Sequence, residues 1–176
     1  MKSILLASAL ALLGTVASAY DFKSQCDFRW GSDQLGVSGN KTICTSGGAV
    51  SSLAILLDDC DQDLYGFDVN PGSLNKWLKA NNGFTDGNQV VWSRTDTLSN
   101  GVKYVTTTSS ADSIKYYLNS GDAAILKVSE EPHYVLGIGY SGSTYFVLDP
   151  KNQRRSFKTT EVSQAIIYTR PFWCKD

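Results

Sequence analysis

The run Ala49–Leu57, AVSSLAILL, constrains the fold more than any other stretch. It holds no charge and no proline, so it reads as a helix that is apolar nearly all round. Such a helix has no face for water and must lie inside a core. It stops at the polar run Asp58-Asp59-Cys60-Asp61. Gly47 and Gly48 stand directly before it, so whatever its N-terminus faces meets no side chain from those positions.

The opening residues, MKSILLASALALLGTVASA, read as a secretory leader: Lys2, an apolar run, then the small-residue exit Ala17-Ser18-Ala19. The expectation is a signal peptide over 1–19 and one domain over 20–176, long enough for a proper core. No later stretch is apolar for long enough to cross a bilayer, so an extracellular product with no membrane attachment after cleavage is expected. The net charge is −1, with no basic run and no aromatic-basic interleaving, so nucleic acid is not an expected partner.

The chain holds four cysteines, Cys26, Cys44, Cys60 and Cys174. An even number in an oxidising compartment predicts two disulfides, with three pairings open. With no CxxC spacing and a single histidine, no metal is expected, and no cofactor. Asn40-Lys41-Thr42 is a glycosylation sequon.

Asp27 to Asn40 reads as an ordered loop. Asn70-Pro71 opens a second helix, with Leu74, Trp77 and Leu78 on one face and Asn82-Gly83 at its end. Val90-Val91-Trp92 is a short strand candidate. Ser109 caps a third helix through Leu118, closed by Gly121. Strands are predicted at Ala123–Val128, His133–Tyr140, Ser143–Leu148, Arg155–Thr159 and Ala165–Thr169, the middle pair joined at Ser141-Gly142. Helices followed by antiparallel strands make an α+β domain.

His133 opens one of these strands and Asp149 ends the next. Their separation is even, so in a regular hairpin both side chains point to one face, and a bulge would undo that. A histidine oriented by a carboxylate is two thirds of a nucleophilic site. The missing third is a nucleophile, which for a thiol belongs at a helix N-terminus, where the dipole favours the thiolate.

Four ordered motifs carry a resemblance. Ser24-Gln25-Cys26-Asp27-Phe28-Arg29-Trp30 is similar to an SQxDxRW opening. Ile43-Cys44-Thr45-Ser46-Gly47-Gly48-Ala49-Val50-Ser51-Ser52-Leu53-Ala54 is similar to I-x-x-[SA]-G-C-[GA]-x-[TS]-S-x-A. Asn70 to Leu78 is similar to NPxxLNxWL, and His133-Tyr134-Val135 with Gly139-Tyr140 and Asp149-Pro150 to H-[WFY]-V…GY…DP. From Ser24 to Pro150 the chain resembles the papain-like, double-glycine-leader-peptidase-like family. The resemblance implies a papain-like fold, N-terminal helices on a C-terminal antiparallel sheet, and peptide-bond hydrolysis, with His133 as base, Asp149 as its orienting partner and Gln25 as a possible oxyanion donor.

The chain departs from the pattern at the nucleophile, where Gly48 stands. Cys44 lies four residues early, and Ser46, Ser51 and Ser52 have no visible activation. The expected function is a secreted, catalytically inactive peptidase homologue whose cleft binds peptide-like or carboxylate-bearing ligands. The alternatives are an active hydrolase using Cys44 as a shifted nucleophile, and a structural or matrix protein reusing the fold.

Overall fold

The computed structural model describes residues 20–98, 101–128 and 133–174. The leader expected at 1–19 lies outside them. The chain runs α1 (Ile43–Ser46), α2 (Gly48–Asp59), a small hairpin of β1 (Asp63–Leu64) and β2 (Phe67–Asp68), α3 (Pro71–Ala80), a 3-10 helix (Trp92–Thr97), β3 (Tyr104–Thr108) and α4 (Ala111–Asn119). It continues with β4 (Ala123–Val128), β5 (His133–Ser141), β6 (Thr144–Leu148), β7 (Ser156–Lys158) and β8 (Val162–Tyr168). The main sheet has the order β3-β8-β4-β5-β6-β7, with all neighbours antiparallel. The architecture is α+β, as expected.

Strand alternation splits the core in two. Ala123, Ile125, Leu136, Ile166 and Tyr168 face α2 and α3, and pack with Leu53, Leu56 and Leu74. Ala124, Leu126, Val135, Ala165 and Ile167 face the other way, toward Ile114 of α4. Helices therefore cover both faces. Every residue of α2 except Ala49 is buried, which is the consequence of its all-round apolar sequence. Among the described residues, no helix is long and apolar enough to cross a membrane.

The helix signals at Asn70 hold in detail. Asn70 Oδ1 accepts from Ser73 N at 3.0 Å, Ser73 Oγ accepts from Asn70 N at 3.0 Å, and Pro71 fills the first turn. Asn70→Ala removes one side of this reciprocal cap and is expected to cost about 1 kcal/mol in urea unfolding. A loss within a few tenths of zero would mean that the cap contributes nothing here.

Several expectations need correction. Val90-Val91-Trp92 makes only an isolated bridge, Phe84 to Val90, and the chain then turns into the 3-10 helix. Trp92 O takes the Tyr168 hydroxyl at 2.8 Å and the Thr95 hydroxyl at 3.1 Å, so its carbonyl is satisfied by side chains and not by a ladder. The cap of α4 is Ser110, whose Oγ accepts from Ser113 N, and not Ser109. β3 precedes α4 and pairs with the last strand, so helices and strands are not cleanly segregated along the chain.

Candidate functional site

The site forms where the start of α2 meets the start of β5. The corner between α1 and α2 requires glycine at 47, because a Cβ there would stand 2.4 Å from Ile43 O. At Gly48 the obstacle is a side chain. A Cβ would stand 2.8 Å from His133 Nδ1, 3.1 Å from His133 Cε1 and 3.1 Å from Tyr134 N. The imidazole thus lies over the first residue of α2 and occupies space that any other residue would claim. Ser52, one turn on, donates its hydroxyl to Tyr134 O at 3.1 Å and fixes the helix against this strand.

His133 Nε2 lies 2.7 Å from Asp149 Oδ1. The same oxygen accepts from Lys151 N and Asn152 N, each at 3.0 Å. Burial pushes the Asp149 carboxyl upward, but the His133 hydrogen bond and these two N–H groups outweigh it and hold it below the ordinary value. An ionised carboxylate only accepts, so Nε2 of the imidazole carries a proton and donates it to Asp149. Nδ1 has no hydrogen-bond partner among the described residues. Asp149 Oδ2 is buried with none either.

Because folding lowers the Asp149 pKa, its ionised form stabilises the fold fully above the ordinary value near 4. That contribution is lost as the pH falls through the lower folded value. Asp149→Asn is expected to lose less stability than the parent on acidification, the two curves converging at low pH. Urea midpoints measured across pH check this, and parallel curves would contradict it.

The approach of His133 to Asp149 depends on a bulge. The turn pairs Ser141 with Thr144, and Tyr140 with Tyr145, whereas farther along Gly137 pairs with Val147 and Leu136 with Leu148. The register slips by one at Ile138. In that shifted register Asp149 falls opposite Val135, diagonal to His133 and on the same side. A regular ladder from this turn would have set the two on opposite faces, so the sequence expectation is corrected: the bulge makes the pair.

Gln25 is 1% exposed, its N donating to Pro150 O at 2.9 Å and its Nε2 to Cys44 O at 2.6 Å. It therefore lies against the segment after Asp149, with one amide hydrogen already used and Oε1 buried without a partner among the described residues. Trp92 and Tyr134, both half-buried, make a tilted aromatic pair at 5.6 Å on the strand that carries His133. Sequence reading missed this pair, because Trp92 was assigned to a strand.

Cys26 is joined to Cys44, and Cys60 to Cys174, with no free cysteine. The two expected disulfides are present, and the pairing that the sequence left open is set. The sulfur of Cys44 is consumed, so the alternative of a Cys44 nucleophile does not hold in this state. Ser46 is exposed on α1, Ser52 is engaged with Tyr134 O, and Ser51 Oγ is buried without a partner among the described residues. Asp59 lies near the sulfurs of Cys60 and Cys174, but disulfide sulfurs are not thiolate ligands, so this group does not make a metal centre. Asn40 is exposed in the loop before α1.

Comparison of the chain with described protein families, with curated proteins and with solved structures returned no match.

Proposed function

We propose that this chain is a secreted, papain-like homologue of the double-glycine-leader-type cysteine peptidases that has lost its nucleophile and binds peptide-like ligands without cutting them. One observation carries the reading. A histidine–carboxylate pair faces the N-terminus of a buried helix at a residue with no side chain. A thiol peptidase divides its chemistry between a helix-end thiolate and this kind of pair. With Gly48 in place, no atom is positioned to form an acyl-enzyme. The proton-transfer partners His133 and Asp149 remain, and a peptidase of this type holds an extended chain beside them. The leader motif, the oxidised cysteines and the exposed sequon fit an extracellular product.

Gly48→Cys tests the reading. A Cβ at position 48 would stand 2.8 Å from His133 Nδ1 and 3.1 Å from Tyr134 N, so the His133 ring, which Asp149 holds at Nε2, has to shift to admit it. The variant is expected to gain one thiol that alkylates near neutral pH. Adding His133→Ala should move that reactivity toward the ordinary cysteine pKa of about 8.5. A thiol at position 48 that titrates near the ordinary value and ignores His133 would show that the two elements do not form a peptidase-type pair.

A further inference from the structure

We propose that Asp86-Gly87 is a site of self-modification, where the chain converts its own aspartyl link into an isoaspartyl link and so releases the loop 36–38. The sequence holds one Asp-Gly pair and two Asn-Gly pairs, Asn82-Gly83 and Asn100-Gly101. Each offers the elements of one reaction: a side-chain carbonyl carbon, followed by a glycine amide with no Cβ to crowd its approach. Asn100 lies outside the described residues. The structure separates the other two.

At Asn82 the reaction is blocked. Asn82 takes a left-handed conformation, φ 54°, just past the end of α3, and Gly83 N donates to Leu78 O at 2.7 Å. Gly83 is buried, and a Cβ there would stand 2.4 Å from Leu78 Cδ2. The amide that has to attack is therefore bonded, and it cannot turn unless the helix end opens. At Asp86 nothing holds that amide. Asp86 and Gly87 are both exposed, in a turn closed by the next amide, Asn88 N, on Thr85 O at 2.9 Å. Among the described residues Gly87 N has no acceptor and the Asp86 carboxyl has no partner. A Cβ on Gly87 would meet only Thr85 Oγ1, at 3.9 Å.

In the reaction Gly87 N attacks Cγ of the neutral Asp86 carboxyl. The N–Cγ bond forms, the Cγ–OH bond breaks, and the hydroxyl leaves with the amide hydrogen as water. One water then opens the five-membered imide. Addition at Cγ restores aspartate. Addition at the main-chain carbonyl leaves the chain running through Cβ and Cγ, one carbon longer and unchanged in mass.

The added carbon falls inside a clamp. Asn88 Oδ1 accepts from Val37 N at 2.8 Å and from Ser38 N at 3.2 Å, and its Nδ2 donates to Ser38 O. Ser38 Oγ donates to Asp86 O at 3.1 Å. The fit is close, since a Cβ at Gly36 would stand 2.3 Å from Asn88 Oδ1. Isomerisation makes Asp86 O part of a free carboxylate and displaces Asn88, so the bonds to Val37 and Ser38 are lost together.

The test holds the protein, native and urea-unfolded, for weeks in mildly acidic buffer, because only the neutral carboxyl releases water. Digestion and electron-transfer fragmentation then distinguish the two isomers. The native protein is expected to accumulate isoaspartate at position 86 and to keep Asn82 intact, folding slowing the loss of the Asn82 amide by at least about tenfold. In the aged native protein the Val37 and Ser38 amides should exchange with solvent faster than in fresh protein. Gly87→Ala, which the open turn admits, should leave the urea midpoint in place and cut the isoaspartate severalfold. No isoaspartate at position 86 in the native protein, Asn82 reacting as fast folded as unfolded, or Gly87→Ala isomerising as fast as the parent would overturn the assignment of the site. Isoaspartate at position 86 with unchanged exchange at Val37 and Ser38 would overturn the release of the loop.

Discussion

Replacing Cys60 and Cys174 together by alanine is expected to lower stability by about 4–5 kcal/mol, the largest effect of any change considered for this chain. The bridge closes a sequence separation of 114 residues, and removing it returns that loop freedom to the unfolded chain. Both half-cystines are buried, at 1% and 3% exposure, and they tie the end of α2 to the C-terminal segment. The other bridge spans 18 residues, and Cys26 is exposed. Removing that pair is expected to cost about 3 kcal/mol. Urea unfolding of the two double variants checks both values, and a larger loss for the short bridge would contradict the ranking.

The second large effect lies at the same end of α2. Asp58 and Asp59 occupy its last turn, where the dipole disfavours carboxylates. Lys23 Nζ sits 2.9 Å from Asp58 Oδ2, with both side chains about nine-tenths buried, and Arg170 Nε sits 3.0 Å from Asp59 Oδ2. Lys23→Met removes the cation and leaves Asp58 buried at the negative pole. The expected loss is about 3–5 kcal/mol, as for other broken buried pairs. The contact of Lys23 with Asp21 adds little, because Asp21 is largely exposed. Adding Asp58→Leu to Lys23→Met should recover most of the loss, since no buried charge is then left over. A double variant as unstable as the single one would show that the packing of the Lys23 stem, and not the charge, was at stake.

How far the sequence disclosed this fold depends on how local each signal was. The cap at Asn70, the all-round burial of α2 and the limits of β4 follow from neighbouring residues, and they are present as read. Trp92 was misassigned because its conformation is set at long range, by Tyr168 bonding to its carbonyl from the far strand. β3 was overlooked for a similar reason: Tyr104–Thr108 has its partner in β8, at the other end of the domain.

The His133–Asp149 pair is more instructive. Its parity argument assumed a regular hairpin, and the two-residue turn at Gly142-Ser143 makes that assumption give the wrong face. Gly137 and Gly139 flank Ile138, and glycines in a strand interior are a signal for a bulge. Read that way, the sequence contained both the turn and its correction. The pairing of the cysteines was not legible, since it depends on which distant segments the core brings together.

The central proposal is that the site at His133 and Gly48 binds a peptide and leaves it whole. A mixed pool of extended peptides, incubated with the protein and then separated into bound and free fractions, tests this directly by mass spectrometry of both. The expectation is saturable retention of peptides at their full mass, with retention weakened in Gly48→Cys, where the new side chain enters the site. New fragments that depend on the protein, or a pool recovered entirely in the free fraction, would contradict it.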